Sequence, residues 1–237
     1  MTVLLVPRGG TWGAAAAAAA ADLGLTPWVL PLIETVPAPS AELDAALARL
    51  TAGDYRWLAV TSAAAVPTLR DVALPASLRV AAVGEGTAAA LTRAGIEVHL
   101  VGDGGALAML QRWPQQVDGP VLAVRSDLAR PTLVDGLRRA GWEVDAVVAY
   151  RTLRTELSTT EKHALRTGRA DVALVTSGSV ARHLAEVEVA PSTRLVAMGA
   201  QTAEDVRAAG LEVAAVASSP TIAELLRAAQ ELGAEPS

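Results

Sequence analysis

Residues 171–179 read Asp171-Val172-Ala173-Leu174-Val175-Thr176-Ser177-Gly178-Ser179. An apolar run stops at a pair of hydroxyl residues, and a helix-like segment follows. A short run that is apolar at every position predicts a strand buried on both faces, as in a parallel sheet under helices. Ser177 is a natural helix N-cap, so the spacing predicts a helix over 178–186. The same junction stands 115 residues earlier as Val60-Thr61-Ser62. That offset also maps Arg79 on Arg194, Gly84 on Gly199, Thr87 on Thr202, Gly95 on Gly210, and Glu97-Val98 on Glu212-Val213. Between residues 60 and 110 no gap is needed, and 18 of 51 positions are identical. Matches of Ala or Val are cheap in this composition, but the Thr-Ser, Gly-x-x-Thr and Gly-x-Glu-Val matches are not.

The chain is therefore two copies of one unit of about 110 residues, with 115–120 between them. Repeats this long are domain-sized and not solenoid repeats. Fainter matches extend the duplication: Val3-Leu4-Leu5-Val6 with Val121-Leu122-Ala123-Val124, and Leu23-Gly24-Leu25 with Ala140-Gly141-Trp142. In the second copy, strands are expected at 121–125, 143–150, 171–176, 194–198 and 212–216. Helices fall between them. Pro131 lies near the first turn of one, which closes at Gly141, and Ser158-Thr159-Thr160-Glu161 has capping-box spacing. Helix 201–209 ends at Gly210, and Pro220 opens the last. Strands alternating with helices define the α/β class, in which ligands gather at the carboxyl ends of the strands.

Those ends carry glycine and small polar residues: Arg8-Gly9-Gly10-Thr11, Thr61-Ser62, Gly84-Glu85-Gly86-Thr87, Arg125-Ser126, Thr176-Ser177-Gly178-Ser179, Gly199-Ala200-Gln201-Thr202 and Ser218-Ser219-Pro220-Thr221. Each precedes a helix whose free N–H groups and partial positive charge suit a carboxylate or phosphate. Capping alone explains any one of these turns. Their recurrence at matching points of both copies favours binding for the set, and the site is expected in the cleft between the two domains.

Composition narrows the classes further. The 237 residues contain no Cys, which excludes disulfides and thiolate chemistry and fits a reducing compartment, so a cytoplasmic protein is expected. The formal charge of −5 and the lack of a basic run argue against a nucleic-acid partner. The alanine run 14–21 follows a strand-like segment and is flanked by Gly13 and Asp22; it reads as a helix, with no membrane span expected. His99, His163 and His183 lack ligand spacing and are expected at the surface. Gly84-x-Gly86 lacks the third glycine of a dinucleotide fingerprint. The five tryptophans read as packing residues. Tyr150 ends the apolar run Val147-Val148-Ala149 where the chain turns polar. A packed ring with a wet hydroxyl and a hydrogen-bond donor in a cleft describe it equally well.

These residues resemble the uroporphyrinogen-III synthase family. The likeness lies in Val175-Thr176-Ser177, Gly199-x-x-Thr202-Ala203, Ala209-Gly210, Ser219-Pro220-Thr221 and Tyr150-Arg151-Thr152, in this order and spacing over almost the whole chain. The resemblance implies two flavodoxin-like parallel-sheet α/β domains joined by a two-stranded linker, the second inserted into the first. Residues 1–35 and 152–237 would form one, and 36–151 the other, with crossings near 34–37 and 149–152. Taken alone, the duplication implies consecutive domains split near Gly119.

The resemblance also implies a substrate, hydroxymethylbilane, a linear tetrapyrrole with eight carboxylates. It is closed with loss of water and inversion of the last ring, by a monomer without cofactor or metal. Tyr150 matches the family tyrosine that assists departure of the hydroxyl. Thr176, Ser177, Gly178, Ser179, Gly199, Thr202 and Thr221 match turns that hold carboxylates. Arg8 sits where the family often has an arginine, although Pro7 and Gly9 depart from the usual Thr-Arg-Pro. Ser62, Gly84 and Thr87 are expected substrate contacts as copies of second-half turns. Some members are fused to a DNA-binding regulator, and no such fusion is expected here. Two readings stand beside the synthase: a non-catalytic two-lobed module binding an anionic small molecule, and a nucleotide-using α/β enzyme.

Overall fold

A computed structural model describes residues 1–102 and 105–234. The chain forms two compact units, one of residues 1–34 with 153–237 and one of residues 35–152. Residues 103–104 and 235–237 lie outside the described residues. No boundary falls near Gly119, so the copies are not consecutive domains.

The first unit holds β1 (Val3–Val6), α1 (Gly10–Asp22) and β2 (Thr26–Val29). After the crossing it continues with α6 (Thr159–Arg166), β9 (Val172–Val175), α7 (Gly178–Glu186), β10 (Arg194–Ala197), α8 (Ala200–Ala208), β11 (Ala215–Val216) and α9 (Ile222–Ala234). Its sheet order is β11-β10-β9-β1-β2, parallel throughout. Alternate residues feed opposite faces, as a strand's period of two requires. Leu5, Ala173, Val175 and Leu195 pack on one side, while Leu4, Val172, Leu174 and Val196 pack on the other. Each fully buried Leu or Val contributes about 1.5–3 kcal/mol relative to exposure.

The second unit holds α2 (Ala41–Ala52), β4 (Trp57–Val60), a 3-10 helix (Ala63–Leu69), β5 (Arg79–Ala82), α3 (Glu85–Arg93), β6 (Leu100–Val101), α4 (Ala106–Arg112), β7 (Val121–Ser126) and α5 (Thr132–Arg139). The crossing strands β3 (Ile33–Pro37) and β8 (Val144–Arg154) complete the sheet β3-β8-β7-β4-β5-β6. The Ala38 N–H donates to the Ala149 carbonyl, and the Thr155 N–H donates to that of Leu32. Each of these bonds lies within one unit, and together they show β3 and β8 running antiparallel. Trp57, Trp113 and Trp142 pack under this sheet, with ring centroids 5.0 and 6.0 Å apart.

In the gap-free window the paired elements keep their offset. Strands β4 and β9, β5 and β10, and β6 and β11 lie 115 residues apart, as do α3 and α8. Each sheet nevertheless takes β1–β2 or β7–β8 from one copy and its remaining strands from the other. Some elements differ from the sequence reading. The strand expected at 212–216 is only Ala215–Val216, because an edge strand pairs on one side alone. The segment after Ser62 is a 3-10 helix carrying Pro67, which cannot donate an interior helical bond. His183 is not at the surface: it is buried, with Nδ1 2.6 Å from the Leu32 carbonyl oxygen, so that nitrogen carries the proton.

Candidate functional site

Because the strands are parallel, the carboxyl-end turns of each unit share one edge of its sheet. In the first unit that edge collects Arg8, Thr176, Ser177, Gly178, Ser179, Gly199, Thr202 and Thr221. In the second it collects Ser62, Gly84, Thr87 and Tyr150.

The helices at these edges are capped in two ways. Ser177 accepts from the Val180 N–H at 3.4 Å, and Ser62 accepts from that of Ala64 at 3.3 Å. These hydroxyls consume donors that a ligand would otherwise meet. Helices α1, α3 and α8 instead start after Gly9, Gly84 and Gly199, which provide no side-chain cap. A helix start without a side-chain acceptor leaves N–H groups directed outward with the positive end of the dipole behind them. Nothing lies within 4 Å of where a Cβ on Gly199 would be, so this backbone is open to close approach.

Thr176 carries an unfulfilled group at this edge. Its Oγ1 is buried and has no hydrogen-bond partner. Its copy in the second unit, Thr61, is satisfied, with Oγ1 donating to the Val124 carbonyl at 3.3 Å. A buried unpaired hydroxyl costs roughly 1–3 kcal/mol, which a bound acceptor or donor recovers. Thr221 receives the Glu224 N–H on its hydroxyl at 3.3 Å and caps the last helix. Beside it, Glu224 accepts from the Ser218 hydroxyl and pairs with Arg227. The Ser218 bond first, and the Arg227 bond second, hold the Glu224 carboxyl below its usual range.

Ser179 accepts from the Arg182 guanidinium at 3.2 Å. The Arg8 guanidinium lies 5.6 Å from the Trp12 ring centroid, a cation–π distance. Thr87 is 7% exposed, within the first turn of α3. Tyr150 lies in β8 opposite Ser126, where the pairing with β7 ends, is 8% exposed, and packs in the second unit's core with Val60, Val124 and Val147.

Sequence reasoning stopped one residue short at the β7 turn. Asp127, after Ser126, hydrogen-bonds to both flanks of that turn. The signal was there, since an Asp after a Ser at a strand end favours local side-chain-to-backbone bonds. A cavity of about 530 Å³ also exists in the first unit, lined by Arg154, Thr155, Lys162, Arg166, His183 and Glu186 among others. Its arginines are already engaged, Arg154 by Glu186 and Arg166 by Glu188 and the Val187 carbonyl. Each place has a buried hydroxyl without a partner, Thr155 in the cavity and Thr176 at the edge, so the uncapped helix starts make the strand-end edges the better anion site.

A parallel α/β protein whose strand ends offer glycine-opened helix starts belongs to the class that binds anionic small molecules at those ends. The family described as Uroporphyrinogen-III synthase HemD matches residues 14–227, and the chain belongs to that family, of cyclising lyases in tetrapyrrole biosynthesis. Similar solved structures include a mutant uroporphyrinogen III synthase from Thermus thermophilus, at 23% identity and TM-score 0.69, covering 98% of each chain. The wild-type enzyme of that bacterium, in another crystal form, gives 23% identity and TM-score 0.54 over 98% of each chain. The enzyme of Helicobacter pylori 26695 gives 17% and 0.66, covering 98% of this chain and 99% of its own. At these identities the structures establish the shared fold. No curated protein sequence matches the chain significantly. Among the described residues, no helix is long and apolar enough to cross a membrane.

Proposed function

We propose that this chain converts hydroxymethylbilane to uroporphyrinogen III, acting as a monomer in the cytoplasm and without a cofactor. The family match over residues 14–227 carries the reading. The chemistry of the strand-end edges supports it. The pyrrole nitrogen of the terminal hydroxymethyl ring pushes electrons outward, and the hydroxyl leaves as water once protonated. The azafulvene that remains is a strong electrophile. The substituted α-carbon of the last ring attacks it and forms a spiro carbon. One bond of that centre then breaks and closes again at the other carbon, which inverts the ring, and loss of a proton restores the pyrrole. Atoms balance with one water released.

No step requires a nucleophile from the protein. The enzyme's task is to hold the tetrapyrrole so that inverted closure outruns the direct one, and to aim donors at developing charge. Tyr150 donates a hydrogen bond to the departing hydroxyl. Gly84, Gly199 and the backbone around Ser177-Gly178-Ser179 receive carboxylates, with the Thr176 hydroxyl as a further donor. Arg8, Ser62, Thr87, Thr202 and Thr221 complete the turns that contact substrate.

The test is to give the protein hydroxymethylbilane, oxidise the product and separate the isomers. The type III isomer supports the synthase. The spontaneous type I isomer alone refutes it and leaves a binding module. A Tyr150→Phe variant with undiminished turnover removes the tyrosine from the mechanism.

A further inference from the structure

The turn after β7 holds β8 in a way that regular sheet pairing does not. The register between β7 and β8 slips between Arg125 and Ser126, which brings Ser126 opposite Tyr150. Such irregularities interrupt the ladder and re-aim side chains. At this interruption, the Asp127 N–H donates to the Tyr150 carbonyl at 3.2 Å. Asp127 Oδ1 accepts the Thr152 N–H at 3.2 Å, the Leu128 N–H at 2.9 Å and the Ser126 hydroxyl at 2.9 Å. One residue thus grips β8 at Tyr150 itself and two residues beyond, just past the register shift.

The other copy holds the corresponding strand without a carboxylate. Val3 pairs Thr26 in β1–β2 as Val121 pairs Val144 in β7–β8, 118 residues on. At that offset Asp127 corresponds to Gly9 and Tyr150 to Leu32. There the Leu32 N–H donates to the Pro7 carbonyl at 2.9 Å, and the Leu32 carbonyl accepts from the His183 ring at 2.6 Å, with no carboxylate involved. The grip is present in the copy that carries the tyrosine. A capping role alone is filled equally well by a neutral Asn. A carboxylate at an edge that would receive a polyanion adds like-charge repulsion, so a neutral residue there would favour binding.

We propose that Asp127 is a positioning residue for Tyr150: it fixes the end of β8 so that the phenol meets the leaving hydroxyl. The inference rests on the assignment of Tyr150 made above. The experiment measures kcat, KM, the ratio of type III to type I product and the melting temperature. It compares Asp127→Ala, Asp127→Glu, Asp127→Asn, Tyr150→Phe and the Asp127→Ala/Tyr150→Phe double variant. Asp127→Ala is expected to lower kcat about tenfold with KM little changed, the signature of an interaction realised in the transition state. Asp127→Glu keeps the charge but moves the oxygen by a methylene, and it is expected to lose the same factor even if the alanine variant folds poorly. Asp127→Asn, which keeps the acceptor, is expected to hold kcat within about threefold and to lower KM. In the Tyr150→Phe background, Asp127→Ala is expected to cost nothing further, because residues acting as a unit are not additive. Full kcat in both Asp127→Ala and Asp127→Glu overturns the proposal, as does an undiminished loss in the Tyr150→Phe background. If Tyr150→Phe alone keeps full turnover, the tyrosine's assignment fails first, a result distinct from either of those.

Discussion

Gly178, in the first turn of α7, faces Asp205 of α8 so closely that a Cβ placed on it would stand 2.6 Å from Oδ2 and 3.1 Å from the Asp205 Cβ. The first turn of α7 therefore packs against the body of α8 through a missing side chain.

Gly178→Ala is accordingly expected to destabilise the protein by about 1–2 kcal/mol, since extra volume in a packed contact forces a shift of backbone or rotamer. Chemical denaturation measures it. Gly199→Ala is the counterpart: it has extended backbone with φ 179° and open space where the methyl would go. Its stability is expected to stay within about 0.5 kcal/mol of the parent. If its backbone receives a carboxylate, KM rises nonetheless.

Thr176 and Thr61 occupy the same place in the two copies but differ in satisfaction. Thr176→Val removes an unpaired buried hydroxyl, so the free protein is expected to be as stable or more stable while substrate binding weakens. Thr61→Val strands part of the Val124 carbonyl's bonding and is expected to cost about 1 kcal/mol. Paired denaturation and KM measurements distinguish the two. Equal stability losses would show that Thr176 is structurally paired and not held for ligand.

Tyr55 reports on alkaline stability. Burial first, and its 2.6 Å hydrogen bond to Asp145 second, raise its phenol above the ordinary 10.0. The folded state keeps a proton that the unfolded chain loses. Its contribution is thus complete below pH 10.0 and fades as pH rises toward the higher folded value. Denaturation midpoints measured upward from that pH are expected to fall more steeply for the parent than for Tyr55→Phe. Parallel curves would refute the linkage.

Glu224 works in the acid direction. With its folded value lowered, its contribution is complete above the usual carboxylate range and is lost as pH falls through the lowered value. Ser218→Ala removes the largest cause, so a carboxyl NMR titration is expected to find Glu224 moved up toward the ordinary range.

Particular residues show how far the sequence could be read. The run 172–175 and its hydroxyl stop identified a buried parallel strand with a helix after it, and β9 and α7 stand there. The 115-residue offset located β4, β5 and α3 from β9, β10 and α8. The tryptophans at 57, 113 and 142 were read as packing residues, and they share one core cluster. His183 was misread because its neighbours in sequence do not show that the Leu32 carbonyl waits for its ring. Asp127 was passed over because its partners at Tyr150 and Thr152 lie more than twenty residues away along the chain.

The sequence by itself determined the α/β class, the duplication and the turns that end each strand. These depend on local apolar runs, caps and spacing, whose energetics lie within a few residues. Only the tertiary structure decided which strands lie side by side, and hence that β1 and β2 join the second copy's strands while β7 and β8 join the first's. A strand apolar on both faces accepts any similar neighbour locally, so its partner is chosen by the burial of whole sheet faces and by chain crossings far apart in sequence. The same long-range pairing sets Asp127 against Tyr150, and it leaves the Thr176 hydroxyl without a partner while Thr61 has one, a contrast that identical residues did not display.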